Sequence, residues 1–146
     1  MRYLCFQKIK NEKMKKYLPF LLGLLLIIID QIIKWWVINN PSFLYINPGF
    51  IFGLGSNYDL FFWILMTIIL ILAFFVSKKE KKYYWVFCIM LSGAISNLID
   101  RFFRGGVIDY FKIDFGYQLI FNFADVLLVT GLIIYIYQSL KQDGKH

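Results

Sequence analysis

The chain has 146 residues, of which 60% are hydrophobic and 21% aromatic, and a formal net charge of +7. A soluble domain of this length could not bury so much apolar surface, so the composition predicts a single membrane-embedded domain, residues 1–146. Two distant cysteines, Cys5 and Cys88, and one histidine, His146, exclude a disulfide framework, a zinc site and a histidine-based catalytic triad within this chain.

Basic residues flank the apolar runs of the chain. Of the 16 Lys and Arg residues, six lie in residues 1–16, four in "SKKEKK" (77–82) and two after Leu140. This distribution is typical of membrane topology, because cytoplasmic segments of membrane proteins carry an excess of Lys and Arg. We therefore expect no nucleic-acid partner.

Four apolar stretches predict four transmembrane helices, over about residues 17–37, 60–76, 83–99 and 121–137. Each stretch approaches the ~20 residues needed to cross ~30 Å of hydrocarbon, where only helices or closed barrels satisfy the backbone. The basic bias places both termini and the 77–82 loop in the cytoplasm. Residues 38–59 and 100–118 are then extracytoplasmic.

The N-terminal region admits two further interpretations. Its first apolar stretch has the basic start of a signal peptide, but it lacks a small-x-small cleavage site and ends with Asp30 and Lys34. We interpret it as a retained helix. Because "MKKYLPF" from Met14 is typical of a translation start, residues 1–13 are interpreted as an unstructured N-terminal extension. Mass spectrometry of the native N-terminus would distinguish a start at Met1 from one at Met14.

The two extracytoplasmic segments have the composition of β structure. "PSFLYINPGFIFGLGS" (41–56) mixes aromatic and β-branched residues with Gly and Pro, which favours a short strand–turn–strand element. "RGGVIDYFKIDFGYQLIF" (104–121) alternates apolar and polar residues in places and is expected to pair with it. The predicted fold class is therefore an all-α integral membrane protein, a four-helix bundle with a small extracytoplasmic β element.

Two groups of polar residues lie near the outer ends of the predicted helices. Asp30 and Lys34 are spaced i, i+4 on the first helix, in the favourable order for a helical ion pair. A structural pair is the main interpretation, and contact with a substrate is the alternative. "SNLIDR" places Asn97, Asp100 and Arg101 on one face of the third helix. This polar stripe favours a working site over plain interfacial anchoring.

Asp109 and Asp125 are candidates for acid–base chemistry. "FNFAD" puts Asn122 and Asp125 at i, i+3 on the fourth helix, and Asp109 lies among apolar neighbours in "GGVIDYF", where the charged form is disfavoured. Two carboxylates held close together share a proton, so one can deprotonate a water while the other protonates a carbonyl. The pattern indicates aspartic-type hydrolysis; an ordinary loop carboxylate at 109 and a proton- or ion-conducting carrier are the alternatives.

Five motifs follow one another along the chain: "DQIIK" (30–34), "NPGFIFG" (47–53), "GAISNLIDR" (93–101), "GGVIDYF" (105–111) and "FNFAD" (121–125). In this order they resemble lipoprotein signal peptidase, the type II signal peptidase of bacteria, over about residues 17–140. The resemblance implies an aspartyl endopeptidase of the bacterial cytoplasmic membrane with its active site at the extracytoplasmic face. It implies cleavage of prolipoproteins just before a diacylglyceryl-modified Cys. The implied partners are these substrates and membrane lipids, with no metal and no cofactor, and we expect a monomer.

The resemblance also implies roles for individual residues. The family's catalytic pair falls on Asp109 and Asp125. Substrate-binding or supporting positions fall on Asn47, Gly49, Asn97, Arg101 and Asn122. Positions that stabilise the site or fold fall on Asp30, Lys34 and Asp100. The chain departs from the family pattern at Ser96, Phe50, Ile51 and Ile120. Phe50 and Ile51 replace two alanines, and they are expected to alter the shape of the lipid or peptide pocket.

Overall fold

The computed structural model describes residues 2–40, 45–47, 59–77 and 81–143 of the chain. In chain order the elements are α1 (Arg2–Ile38), β1 (Tyr45–Asn47), α2 (Asp59–Ser77), α3 (Lys81–Arg104), β2 (Val107–Asp109), β3 (Phe111–Asp114), β4 (Gln118–Phe121) and α4 (Phe123–Asp143). Four helices with small two-stranded sheets confirm the predicted fold class.

α3 is the central helix of the bundle and packs against each of the other three helices. Small side chains allow the close approach: Ser92, Ala94 and Ser96 are buried along α3. A Cβ atom at Gly93 would overlap the backbone carbonyl oxygen of Ala124, so α3 and α4 touch backbone to backbone at this point. This contact sets the start of α4 beside the C-terminal half of α3.

The helices have the length and composition of membrane spans. Within the described residues, Tyr17–Ile38, Tyr83–Arg104 and Phe123–Lys141 are long and apolar enough to cross a bilayer, and α2 contains the shorter apolar run Ile64–Phe75. Large apolar side chains such as those of Leu25, Leu72 and Ile133 point outward from the bundle. Such a surface fits hydrocarbon and would be unfavourable in water.

The N-terminal segment differs from the prediction. Residues 1–13 were expected to be unstructured, but α1 is helical from Arg2 and runs without a break to Ile38. The segment "RYLCFQKIKNEKMKK" contains no Gly or Pro and is rich in Lys, Gln, Glu and Met, which favour helix. A helix of 37 residues is about 55 Å long, so α1 extends well beyond the hydrocarbon layer.

The strands within the described residues form two antiparallel sheets. β1 pairs with β2, with Tyr45 opposite Asp109 and Asn47 opposite Val107, which confirms the expected pairing of the two segments. β3 and β4 form a separate hairpin that the sequence did not predict, and Gly116 in its turn has a φ of 88°. The remainder of the predicted strand–turn–strand element, with Gly49, Phe50 and Ile51, lies outside the described residues.

Candidate active site

The start of α4 is fixed by a reciprocal cap. The Asn122 side-chain oxygen accepts a hydrogen bond from the backbone N–H of Asp125 at 3.0 Å. The Asp125 carboxylate in turn accepts one from the backbone N–H of Asn122 at 3.1 Å. This is the capping-box arrangement, with Asn at the cap position and Asp three residues later. The "FNFAD" sequence therefore holds Asp125 rigidly in the first helical turn.

Asp109 is held beside the same cap by two amides. At the end of β2 its side chain is 2% exposed. One carboxylate oxygen accepts a hydrogen bond from the Asn122 amide at 2.7 Å, and the other accepts one from the Asn47 amide at 3.3 Å. The pairing of β1 with β2 brings Asn47 to this position. Asp109 and Asp125 are thus both bound to Asn122.

α3 contributes Asn97, which is hydrogen-bonded to both Asp125 and Asn122. Its amide nitrogen donates to Asp125 at 2.8 Å, and its side-chain oxygen accepts from the Asn122 amide at 3.1 Å. All four carboxylate oxygens of Asp109 and Asp125 consequently accept a hydrogen bond from an amide or a backbone N–H. The structure brings together five of the predicted site residues: Asn47, Asn97, Asp109, Asn122 and Asp125.

The electrostatic surroundings favour a proton on Asp109. Burial raises the pKa of this carboxyl to about 6, and the nearby negative charge of Asp125 raises it as well. The hydrogen bonds from Asn122 and Asn47 and the positive charge of Lys34 oppose the increase. Asp109 can therefore hold or release a proton within one or two pH units of neutrality, which suits general acid–base chemistry.

A buried ion cluster around Lys34 is connected to the two carboxylates through Asn97. The Lys34 ammonium lies 2.7 Å from Asp30 and 2.7 Å from Asp100, and all three side chains are fully buried. The ammonium also donates to the side-chain oxygen of Asn97 at 2.8 Å. The structure thus forms the expected Asp30–Lys34 pair and adds Asp100 as a second acidic partner. Because Asn97 accepts from Lys34, its amide nitrogen is left to face Asp125.

Sequence reasoning missed several members of this cluster. From the sequence, Ser96 stands out only as a departure from the family pattern, yet its hydroxyl donates to Asp30 at 2.6 Å. Gln31 donates to Ser96 and to Asp100, and Arg104 pairs with both Asp100 and Gln31. Arg104 follows Asp100 by four residues, so the i, i+4 spacing could have identified that pair. Tyr110, which follows Asp109 directly, was also missed.

The remaining predicted residues differ in how closely they join the site. Arg101 donates to the backbone carbonyl of Asn97 at 3.4 Å on its own helix, and its charge interacts with Asp125. Arg101 and Asp100 are neighbours in sequence, but Asp100 turns toward Lys34 on α1. The predicted polar stripe therefore divides between the carboxylate pair and the ion cluster. Gly49 lies outside the described residues.

The chain is similar to known proteins over most of its length. Residues 22–141 match the family model of signal peptidase (SPase) II. The lipoprotein signal peptidase of Rickettsia conorii is 37% identical over 80% of this chain and 71% of its own length. That of Lactococcus lactis subsp. cremoris is 34% identical over 83% of this chain and 92% of its own.

Solved structures show the same fold. A bacterial membrane enzyme determined by the in meso method at 2.3 Å resolution superposes with a TM-score of 0.71 at 26% identity, covering 87% of this chain and 90% of that one. A second such structure, at 1.9 Å resolution, gives a TM-score of 0.69. The family model spans most of the chain and includes every helix-borne residue of the candidate site, and the chain therefore belongs to the signal peptidase II family.

Proposed function

We propose that this protein is a membrane-embedded aspartyl endopeptidase that removes signal peptides from prolipoproteins, cutting just before a diacylglyceryl-modified Cys. Its family and the names of its relatives support processing of prolipoproteins in the bacterial inner membrane. The observation that supports aspartyl chemistry is the pair of carboxylates, Asp109 and Asp125, hydrogen-bonded to the single residue Asn122.

The reaction needs one proton shared by the two carboxyl groups. The ionised member removes a proton from water as the water oxygen attacks the scissile carbonyl carbon. The protonated member supplies its proton to the carbonyl oxygen, which gives a tetrahedral diol. The carboxyl group that took the proton from water then passes it to the departing nitrogen, while the other carboxylate takes back a proton from the diol as the C–N bond breaks, so that the dyad again holds one proton. Asn47, Asn97 and Asn122 hold the carboxylates in fixed positions, which lowers the entropic cost of reaching the transition state.

The surroundings of Asp125 support a substrate that approaches from the bilayer. Asp125 is half-buried, and an exposed apolar stripe of Val126, Val129 and Ile133 begins at the next residue of α4. We expect the lipid chains and the signal helix of the substrate to lie against apolar helix faces of this kind. From the basic residues near both termini we infer that the termini lie in the cytoplasm and the site at the extracytoplasmic face, and we propose that the enzyme acts as a monomer.

The proton- or ion-carrier alternative has weaker support. A carrier needs acids that follow one another across the bilayer. Asp30 and Asp100 are instead both bound to Lys34, next to the carboxylate pair. The family match also supports a peptidase over a carrier.

The proposal is tested by cleavage of a diacylglyceryl-modified precursor by the purified protein in lipid nanodiscs. Asp109→Asn and Asp125→Asn are each expected to lower kcat on the order of 10²-fold to 10⁴-fold, the usual effect of removing an acid–base group. Asp114→Asn is the matched control, because Asp114 lies at the exposed end of β3, where an Asn side chain can also accept the Gly116 N–H. Mass spectrometry of the products locates the cut.

Normal cleavage by either dyad variant would overturn the aspartyl assignment. Equal cleavage of the same precursor without its diacylglyceryl group would overturn the proposed substrate class. A proton flux into protein-loaded liposomes that disappears in Asp125→Asn, in the absence of any cleavage, would favour the carrier.

A further inference from the structure

We propose that Tyr110 is a positioning residue whose hydroxyl ties the first residue of α4 to Asp30 of α1, and thereby fixes Asp125 relative to Asp109. The inference rests on the proposed function, since it concerns the geometry of the proposed catalytic pair. Tyr110 is not itself expected to touch the substrate.

Tyr110 holds the chain on both sides of the helix cap. Its backbone N–H donates to the carbonyl of Phe121 at 3.2 Å. Its hydroxyl accepts a hydrogen bond from the backbone N–H of Phe123 at 3.1 Å. Asn122, which binds both carboxylates, lies between these two attachment points. The residue directly after Asp109 is therefore joined to the residues directly before and after Asn122.

The Phe123 N–H is a group that α4 cannot satisfy by itself. The first N–H groups of a helix have no acceptor within the helix, and Phe123 is the first residue of α4. The Asn122 side chain caps the N–H of Asp125, two residues further on. The Tyr110 hydroxyl supplies an acceptor for Phe123, so the cap of α4 has one component from the residue between β2 and β3 and one from Asn122, the residue before the helix.

The other end of the link is anchored in the ion cluster. The Tyr110 hydroxyl donates to one oxygen of Asp30 at 3.3 Å. The second oxygen of Asp30 is 2.7 Å from Lys34 and accepts from Ser96 at 2.6 Å. Burial raises the pKa of Tyr110, so the hydroxyl keeps its proton and remains a donor. The start of α4 is thus tied through one hydroxyl to a fully buried side chain on α1.

Tyr110→Phe tests this link because it removes the hydroxyl and keeps the ring, which packs against Phe111. The variant leaves the Phe123 N–H and one Asp30 oxygen without this partner, and the first turn of α4 gains freedom. We expect kcat for the lipidated precursor to fall about tenfold with KM within about twofold, the pattern of a loss felt in the transition state. Tyr117→Phe, which removes a hydroxyl from a side chain 69% exposed in the turn between β3 and β4, is the control and should match the wild type.

Hydrogen exchange separates positioning from a general loss of structure. In Tyr110→Phe, amides of residues 121–127 are expected to exchange faster than in the wild type, while those of 131–140 exchange at the wild-type rate. An unchanged kcat would overturn the inference. A fall in kcat together with faster exchange throughout α4 would also overturn it, because that result describes a structural role. If the wild type itself did not cleave the precursor, the proposed function would fail instead.

Discussion

At the residue scale, the two candidate carboxylates are held by different kinds of structure. Asp125 belongs to a helix cap and accepts one of its hydrogen bonds from the backbone. Asp109 ends a short strand, is almost completely buried, and accepts hydrogen bonds from two side-chain amides. Because burial disfavours the charged form, Asp109 is the expected carrier of the shared proton.

The raised pKa of Asp109 predicts how stability depends on pH. The ordinary pKa of this carboxyl is 3.8, and the folded protein raises it to about 6, so the folded state binds more protons between these values. Stability from this group is therefore fully present below pH 3.8 and is lost as the pH rises through 6, by up to about 3 kcal/mol. Asp109→Asn removes this dependence, so its unfolding temperature relative to the wild type should increase from pH 4.5 to pH 7.5.

Thermal unfolding in detergent at several pH values measures the effect. Asp114→Asn, at the exposed end of β3, serves as the control and should follow the wild type throughout. A constant difference between Asp109→Asn and the wild type across this pH range would contradict the prediction.

At the element scale, the close contact of α3 with α4 determines the site. Gly93 faces the backbone of Ala124, the residue before Asp125, and Asn97 lies one helical turn after Gly93 on α3. The separation of the two helices thus controls the hydrogen bond from Asn97 to Asp125. A glycine is required here because the opposing atom belongs to the backbone and cannot rotate away.

Gly93→Ala should therefore lower both the stability of the fold and the rate of precursor cleavage. The added methyl group would overlap the Ala124 carbonyl oxygen and push α3 and α4 apart, at a cost on the order of 1–3 kcal/mol. Gly23→Ala is the matched control: its Cβ would lie 3.4 Å from the Cys88 carbonyl oxygen, an ordinary contact, and Ala favours helix. Unfolding temperature and precursor cleavage measure both variants, and equal values for Gly93→Ala and the wild type would be inconsistent with this packing.

The sequence predicts which segments are helical better than it predicts where the helices end or which side chains contact one another. Long apolar runs identify all four helices, since lipid permits few other structures. The apolar run of α4 starts at Phe121, but Phe121 ends β4 and the helix begins after the Asn122 cap. The β3–β4 hairpin was missed because every residue of β3 is exposed, so the strand has no buried face that would produce a clear alternation of apolar and polar residues. The Asp109 and Asp125 motifs were visible, whereas the contacts of Tyr110 with Asp30 connect residues 80 positions apart.

At the scale of the whole molecule, the basic residues predict one orientation in the membrane. Both termini are rich in Lys or Arg, as is the loop between α2 and α3. The carboxylate pair lies where the C-terminal end of α3 meets the N-terminal end of α4, next to the two small sheets. These are the helix ends farthest from the basic segments. This orientation would place the β3–β4 hairpin outside the cell membrane.

Thiol labelling in intact cells tests the orientation. In a chain carrying Cys5→Ser and Cys88→Ser, a Tyr117→Cys variant is expected to react with a membrane-impermeant maleimide. A Lys141→Cys variant should react only after the cells are permeabilised. If Lys141→Cys were labelled in intact cells and Tyr117→Cys were not, the topology would be the opposite of the predicted one.

The ion cluster also has a consequence for the order in which the chain is assembled. Lys34 and its partner Asn97 are 63 residues apart, and Asp100 and Arg104 follow later still. While α1 and α2 alone have left the ribosome, the Lys34 ammonium has Asp30 as its acidic neighbour and lacks both acceptors on α3. Until α3 arrives, two of its N–H donors lack the acceptors that they have in the complete fold, and an unsatisfied donor within the membrane is unfavourable. Arrival of α3 supplies Asp100 and Asn97 and buries the ammonium, so the hydrogen bonds of Lys34 are complete only when the third helix is in place.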